Sequence, residues 1–405
     1  MTAALIVCIG AGACGSAERR VEPRRAVDSI TVPFHSSTVV AGTSSFLLIE
    51  NDSESHRVVE LHPTQAELKR ADVEAIAVKP TTYFDGGLQL DDGRWVALGR
   101  RCHIPDDIVQ KDCDAGEAVV AVLDDGRWTV LDDIPAQLTS AYFALAGAHG
   151  STVVVERWDE GDSSYWLLDV ATGEFRALDW KPPALELDRS PQTDVEILAN
   201  EPGPVRDRCV AQDQLLVVDG RPVPGGLQSH LWIVDLDSGQ VRAERDLALH
   251  PSVVQDVLLC RSDGKAHLVG VDRDDNRPGA YRLEQATVTD SLLSPVSGGE
   301  ITAHTVGRSS VTFQFLSGER PPLPGTTAIA PTDDTGANDP TTEPRPTTTH
   351  PTGSPDTVKT VAFVDGDWRD LSGLVEYSES VRFTDDGRHA LVTYDRRSFR
   401  SITPN

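Results

Sequence analysis

An all-β fold is predicted by three features of this 405-residue sequence: short apolar or alternating runs recur along it, Gly-centred turns separate them, and no long amphipathic helical pattern interrupts them. The turns form a series. "LDDGRW" stands at Leu90–Trp95 and again at Leu123–Trp128. It is followed by "DVATGE" at Asp169–Glu174, "DLDSGQ" at Asp235–Gln240, "RSDGK" at Arg261–Lys265, "VDGDW" at Val364–Trp368 and "TDDGRH" at Thr384–His389. A tight hairpin needs a residue at positive φ, which Gly adopts without steric cost, and the neighbouring Asp can hydrogen-bond to the turn's own backbone. The Asp-Gly density is therefore the chemistry of turns.

The longest internal correspondence sets the architecture. "WLLDVATGEFRALDW" (Trp166–Trp180) returns as "WIVDLDSGQVRAERD" (Trp232–Asp246), each reading as a third strand, turn and fourth strand of a small sheet. Units of four short strands, about 48 residues each for seven units, build a β-propeller. Seven blades are favoured, with six or eight as alternatives, over a pair of β-sandwiches or a β-helix. The blades are expected to begin near Thr38, Tyr83, Ala141, Val205, Val254, Ile301 and Val381. The last shows only two clear strands, so ring closure calls for strands from elsewhere: Asp28–Phe34 as an outer one from the other end of the chain and Ser398–Ile402 as a third. The two Trp repeats resemble blades of WD40-like and quinoprotein-like propellers. "VRFTDDGRHALVTYD" (Val381–Asp395) resembles the first two strands of a TolB-type repeat. These resemblances imply a fold and carry no catalytic residue.

Charge and termini restrict the setting. With 63 acidic against 37 basic residues the formal charge is -26, a field that repels polyanions, so nucleic acid is excluded as a partner. The apolar run Ala3–Ala13 is far short of the roughly 20 residues that span a bilayer. "AGAC" followed by "GS" resembles the lipobox of bacterial exported lipoproteins, and the preference for Arg over Lys is that of actinobacterial coding. The resemblance implies a signal peptide over 1–13, a lipid-modified Cys14, a tether over 14–27 and the propeller over 28–405, on the outer face of the cell membrane. The plainer alternative is a cleaved signal and secretion. Four further cysteines, an even number in a chain expected to be exported, suggest disulfides, Cys102 with Cys113 and Cys209 with Cys260. A zinc site at Cys102, His103 and Cys113 lacks a fourth ligand, so no metal or other cofactor is expected.

In a four-stranded blade the first-to-second and third-to-fourth turns share one face of the disc. That turn face takes the Asp-Gly series. The opposite face, here the loop face, takes the second-to-third connections: Arg100–Glu117, Arg157–Ser164, Asp219–His230, Asp272–Gly279 and the tract after Phe315. Recognition on a rigid scaffold usually sits on such loops. The candidate binding residues are accordingly Asp106, Asp107, Asp159, Glu160, Asp162, Asp272, Asp274 and Asp275, with the solvated-loop reading as the alternative for each. His103 and His230 lie on the same face and read as hydrogen-bonded loop histidines. The Thr/Pro-rich segment at about 318–357 cannot bury enough apolar surface to fold and reads as a disordered insertion within one blade, either a glycosylated stalk or a plain spacer.

The search for catalytic motifs is negative. There is no nucleophile elbow, phosphate loop or metal-binding His pair, and "DRDDNRPG" lacks the Gly and distal Glu of a calcium loop. The sequence thus supports a monomeric, non-catalytic binding or scaffolding module for an envelope protein or glycan. The alternative is a carbohydrate-active hydrolase or lyase using two acids at the channel mouth.

Overall fold

The computed structural model describes residues 29–32, 36–50, 56–64, 67–78, 82–103, 112–131, 133–138, 142–159, 162–183, 206–223, 226–247, 253–261, 263–272, 277–284, 287–295, 300–306, 309–317, 357–375, 379–393 and 398–402. β1 (Ser29–Thr31) joins the last sheet. Blade 1 is β2 (Ser36–Ala41), β3 (Phe46–Glu50), β4 (Val58–Pro63) and β5 (Leu68–Val73). Blade 2 is β6 (Thr82–Gln89), β7 (Trp95–His103), β8 (Asp112–Asp124) and β9 (Arg127–Leu131). Blade 3 is β10 (Tyr142–His149), β11 (Thr152–Asp159), β12 (Asp162–Asp169) and β13 (Glu174–Ala177). Blade 4 is β14 (Arg206–Ala211), β15 (Gln214–Val223), β16 (Gly226–Asp235) and β17 (Val241–Leu247). Blade 5 is β18 (Val253–Cys260), β19 (Ala266–Asp272), β20 (Arg277–Glu284) and β21 (Thr287–Leu293). Blade 6 is β22 (Glu300–Val306), β23 (Ser310–Ser317), β24 (Thr357–Val364) and β25 (Asp367–Asp370). Blade 7 is β26 (Ser380–Phe383), β27 (Ala390–Thr393) and β28 (Ser398–Ile402), with β1 as its fourth strand.

Every pairing within a blade is antiparallel, and the fold is a seven-bladed propeller. Its core shows why. In a strand successive side chains point to opposite faces, so each sheet has two faces to bury. In β7, Val96 and Leu98 pack toward blade 3, while Trp95 and Ala97 pack toward blade 1. The buried apolar residues divide into seven clusters, one at each junction between neighbouring blades, including blade 7 with blade 1. With no α-helix among the described residues to cover them, these two-sided apolar sheets hide both faces by standing between two others.

Ring closure follows the expected route. Ser29, Ile30 and Thr31 pair with Arg400, Phe399 and Ser398 on the outer edge of blade 7. Val32, Leu391 and Phe399 then pack against Phe46, Leu48 and Leu61 of blade 1. On the turn face the Asp385 amide donates to Gly42 O at 2.8 Å and the Asp386 amide to Thr43 O at 3.2 Å. The seven blades begin within about two residues of the expected positions.

The loop-face connections differ from expectation. Arg157–Ser164 and Asp219–His230 are largely strand, since β11 runs to Asp159, β12 begins at Asp162, β15 runs to Val223 and β16 begins at Gly226. Backbone pairing continues past the apolar core because the hairpin ladder needs no buried side chains; their polarity records exposure, not irregular structure. No helix among the described residues is long and apolar enough to cross a membrane. Cys14, the proposed signal segment and the tract 318–356 lie outside the described residues, although β23 and β24 on either side of that tract pair with each other.

Candidate functional site

The two faces of the disc do different work. On the turn face, the positive φ of Gly173 (74°) and Gly239 (68°) closes the two Trp-repeat turns. In the Asp125-Gly126 and Asp365-Gly366 turns both residues have positive φ, the type I′ geometry that matches strand twist. The Asp side chains fasten the turns, as where Asp235 accepts from the Ser238 amide at 2.7 Å. That bond, the Ser238 hydroxyl and Arg242 together hold the Asp235 carboxyl down at about 2.

The same turns also tie blades together. The Thr43 amide donates to Gln89 Oε1 at 2.8 Å. Arg176 donates to Leu236 O at 2.9 Å, and Arg261 to Asp365 O at 2.7 Å. Arg369 donates to Gly387 O at 2.6 Å. This face is committed to holding the ring.

The axial channel is the site with unusual chemistry. It encloses a cavity of about 330 Å³ lined from the first strands of six blades, β2, β6, β10, β14, β18 and β26. Register shifts between Phe84 and Gly86 and between Leu145 and Gly147 are β-bulges, which bend a strand and re-aim a side chain. The first leaves Asp85 unpaired in the ladder, half-exposed at the cavity and bonded to Arg100 Nε at 2.8 Å. Beside it, a Cβ added at Gly86 meets no atom within 4 Å, so this glycine opens onto free space.

Asp207 projects from β14 and joins two blades. Its carboxylate accepts from the Arg208 amide at 2.8 Å and from the Leu258 amide of β18 at 2.6 Å. Burial pushes its carboxyl pKa up, and the Leu258 amide partly opposes that rise. Two residues further along both strands, Cys209 and Cys260 form the expected disulfide, with Cα atoms 5.6 Å apart. A covalent and a hydrogen-bonded link thus span one gap side by side.

Two guanidinium groups line the cavity. Arg208 pairs with buried Glu156 at 2.7 Å, and Glu156 also accepts from the Tyr165 hydroxyl at 3.3 Å. Arg382 of β26 has its pKa pushed down by burial. No group of three or more His, Cys, Asp or Glu suited to a metal ion occurs among the described residues.

The sequence-derived candidates lie elsewhere. Asp159 and Asp162 are opposite one another at the tip of the β11–β12 hairpin, and Asp272 pairs with Arg277 where β19 meets β20, all on the loop face. Asp106, Asp107, Glu160, Asp274 and Asp275 lie outside the described residues, as do the side chains of Asp159, Asp162, Asp272, Cys102, His103 and Cys113. His230 is hydrogen-bonded as expected, to Asp246 at 2.6 Å and Glu244 at 3.1 Å, with its ring against Trp232. The sequence reading missed Asp85, Asp207 and Arg382. The one signal available was Gly86-Gly87 inside an apolar strand pattern, which marks a bulge or a close approach.

No family model and no curated protein matches the chain. Similar solved structures include the WD40 domain of Toxoplasma gondii coronin, 8% identical over 94% of this chain and 84% of that one, with a TM-score of 0.43. An oligogalacturonate lyase in complex with manganese is 11% identical over 93% and 90%, at 0.48. An uncharacterized protein of Listeria monocytogenes EGD-e is 10% identical over 92% and 93%, at 0.49. Likeness at this level assigns no activity.

Proposed function

We propose that this chain is a non-catalytic binding or scaffolding module of the bacterial envelope, held to the membrane through a lipid on Cys14 and meeting an envelope protein or glycan with its loop face. One observation carries the non-catalytic part. Both described carboxylates that line the channel are committed to the framework, Asp207 to two backbone amides and Asp85 to Arg100. Acid–base hydrolysis needs two opposed carboxyl groups free to exchange protons with substrate and water. The turn face is occupied by bonds between blades, which leaves the loop face as the broad surface for a partner.

The test is charge reversal. Reversing Asp106, Asp107, Asp272, Asp274 and Asp275 together is expected to abolish capture of a defined envelope glycan or protein that the wild type retains. Reversing Asp91, Asp124 and Asp237 on the turn face is expected to leave capture intact. Equal capture by both variants defeats the assignment. Lipidation is checked by labelling with an alkyne fatty acid, which Cys14→Ser should eliminate.

The hydrolase reading retains one favourable observation, the raised pKa of the partly buried Asp207 carboxyl in the channel that also holds Asp85. Release of reducing ends from envelope polysaccharide by the wild type, lost in Asp207→Asn, would decide for it.

A further inference from the structure

Trp158 stands apart from the other tryptophans. Six of the seven are buried in or packed against the junction clusters: Trp95 and Trp128 between blades 1 and 2, Trp166 between 2 and 3, Trp180 and Trp232 between 3 and 4, and Trp368 between 5 and 6. Trp158 belongs to none of these clusters and is 44% exposed. It lies next to the last residue of β11, at the tip of the β11–β12 hairpin on the loop face. An indole is among the largest apolar surfaces a side chain can bury, and here the fold leaves much of one in water.

Its surroundings are anionic. From Glu156 to Asp162 the chain reads "ERWDEGD", four acids to one base, within a protein of formal charge -26 that attracts cations at long range. The described cations of this stretch are engaged: Arg157 Nε donates to Gln137 O at 2.7 Å, and Arg208 of blade 4 pairs with Glu156 at 2.7 Å. The ladder sets Asp159 directly against Asp162, and two like charges in cross-strand register carry a cost that a cation at the tip removes. Ser163, directly opposite Trp158 and so on the same side of the sheet, is 1% exposed, and its hydroxyl has no hydrogen-bond partner among the described residues. An N–H group brought to the indole would supply one.

These features select the ligand class. The face of an indole carries the negative end of its quadrupole and attracts a guanidinium or ammonium laid on it, more strongly as water is excluded. Trp and Arg are also enriched at the centres of protein interfaces, where such contacts carry much of the affinity. A neutral sugar would gain nothing from the acids beside the ring.

We propose that the β11–β12 hairpin is a docking point for a basic polypeptide segment, an Arg or Lys side chain lying on Trp158 while the acid-rich tip draws the segment in. The inference rests on the loop-face reading and narrows its partner to a cationic polypeptide.

A blocked octapeptide alternating Gly and Arg, its counterpart with citrulline for Arg, and chitohexaose as a neutral glycan are the probes, titrated against the full chain with the indole N–H signals followed by NMR. The wild type is expected to bind the Arg peptide, and the Trp158 signal, identified by its loss in Trp158→Leu, should move. The citrulline peptide should bind about tenfold or more weakly. Trp158→Leu should weaken the Arg peptide about threefold to tenfold and Trp158→Phe less, both keeping the wild-type melt because the ring is exposed. Val241→Ala, which trims another exposed apolar side chain on the outer strand of blade 4, should bind as the wild type does. Unchanged binding by Trp158→Leu, a Trp158 signal that does not move with the Arg peptide, or one that moves with chitohexaose instead overturns the proposal. The acids reversed in the loop-face test lie outside this hairpin. Loss of capture there with an unmoved Trp158 signal therefore sinks this inference and leaves the loop-face reading standing.

Discussion

The junction of blades 4 and 5 and the junction of blades 7 and 1 meet the same mechanical demand by different means. Between blades 4 and 5 the inner strands are linked by the Cys209–Cys260 disulfide and, two residues away, by the Asp207 carboxylate on the Leu258 amide. Between blades 7 and 1 no disulfide occurs among the described residues. Instead β1 is carried from the start of the propeller onto β28, and Phe399 and Val32 pack against blade 1. Blades 4 and 5 are consecutive in the chain and cannot separate far. Blades 7 and 1 are joined only by contacts and by the exchanged strand. Covalent linkage lowers the entropy of the unfolded chain, whereas the exchanged strand keeps the ring shut.

Removing the chain through Val32 should do the most damage. It strips Ile30 and Val32 from the closing cluster and the ladder from β28, a loss on the order of 5 kcal/mol read as a fall in melting temperature. An unchanged melt would show that the exchanged strand does not hold the ring shut. Replacing Cys209 and Cys260 with Ala should cost about 4 kcal/mol by the chain-entropy relation for a sequence separation of 51. Reductant should then lower the melt of the wild type and leave the double variant unmoved.

Asp207→Ala should cost about 1–3 kcal/mol, because the Leu258 amide loses its acceptor in a buried place. Combined with the cysteine variant its effect should be non-additive, since both links hold one gap; simple additivity in chemical denaturation would show that they act separately. The junction of blades 5 and 6, which has neither disulfide nor strand exchange among the described residues, gives the smallest effect. There His267 packs edge-on against Phe363, and burial pushes its pKa down to about 4. A histidine depressed in the folded state is protonated first in the unfolded chain, so stability is full above about pH 6.5 and falls as pH drops toward 4. The expected slope amounts to about 1–2 kcal/mol after screening, and His267→Phe should flatten it.

Much of the ring was legible in the sequence because turns and apolar period are local signals. Asp-Gly pairs located the turn face, the two Trp repeats fixed strand order within a blade, and the two-stranded remnant at Val381 pointed to closure by β1. The Cys209–Cys260 pair was found by elimination among four residues. The channel was not legible. Asp207 sits in "VRDRCVA" and Arg382 in "SVRFT", where a charge at a strand start reads as a solvated end. Only the convergence of six inner strands makes these positions neighbours, and convergence leaves no periodic trace. One loop-face connection is shorter than the sequence reading made it: Asp219–His230 was assigned to the second-to-third connection of blade 4, while the backbone continues as a hairpin out to Val223 and Gly226.

Ser317 and Thr357 face each other as the final pair of β23 and β24. Whatever the intervening chain does, it departs and returns at a single point beyond the core, so its length is uncoupled from the geometry of the disc, and lengthening it raises the closure cost only logarithmically. The paired ends of β23 and β24 therefore offer a graft point on blade 6, where an engineer can insert an entire domain without disturbing any junction that holds the circle together.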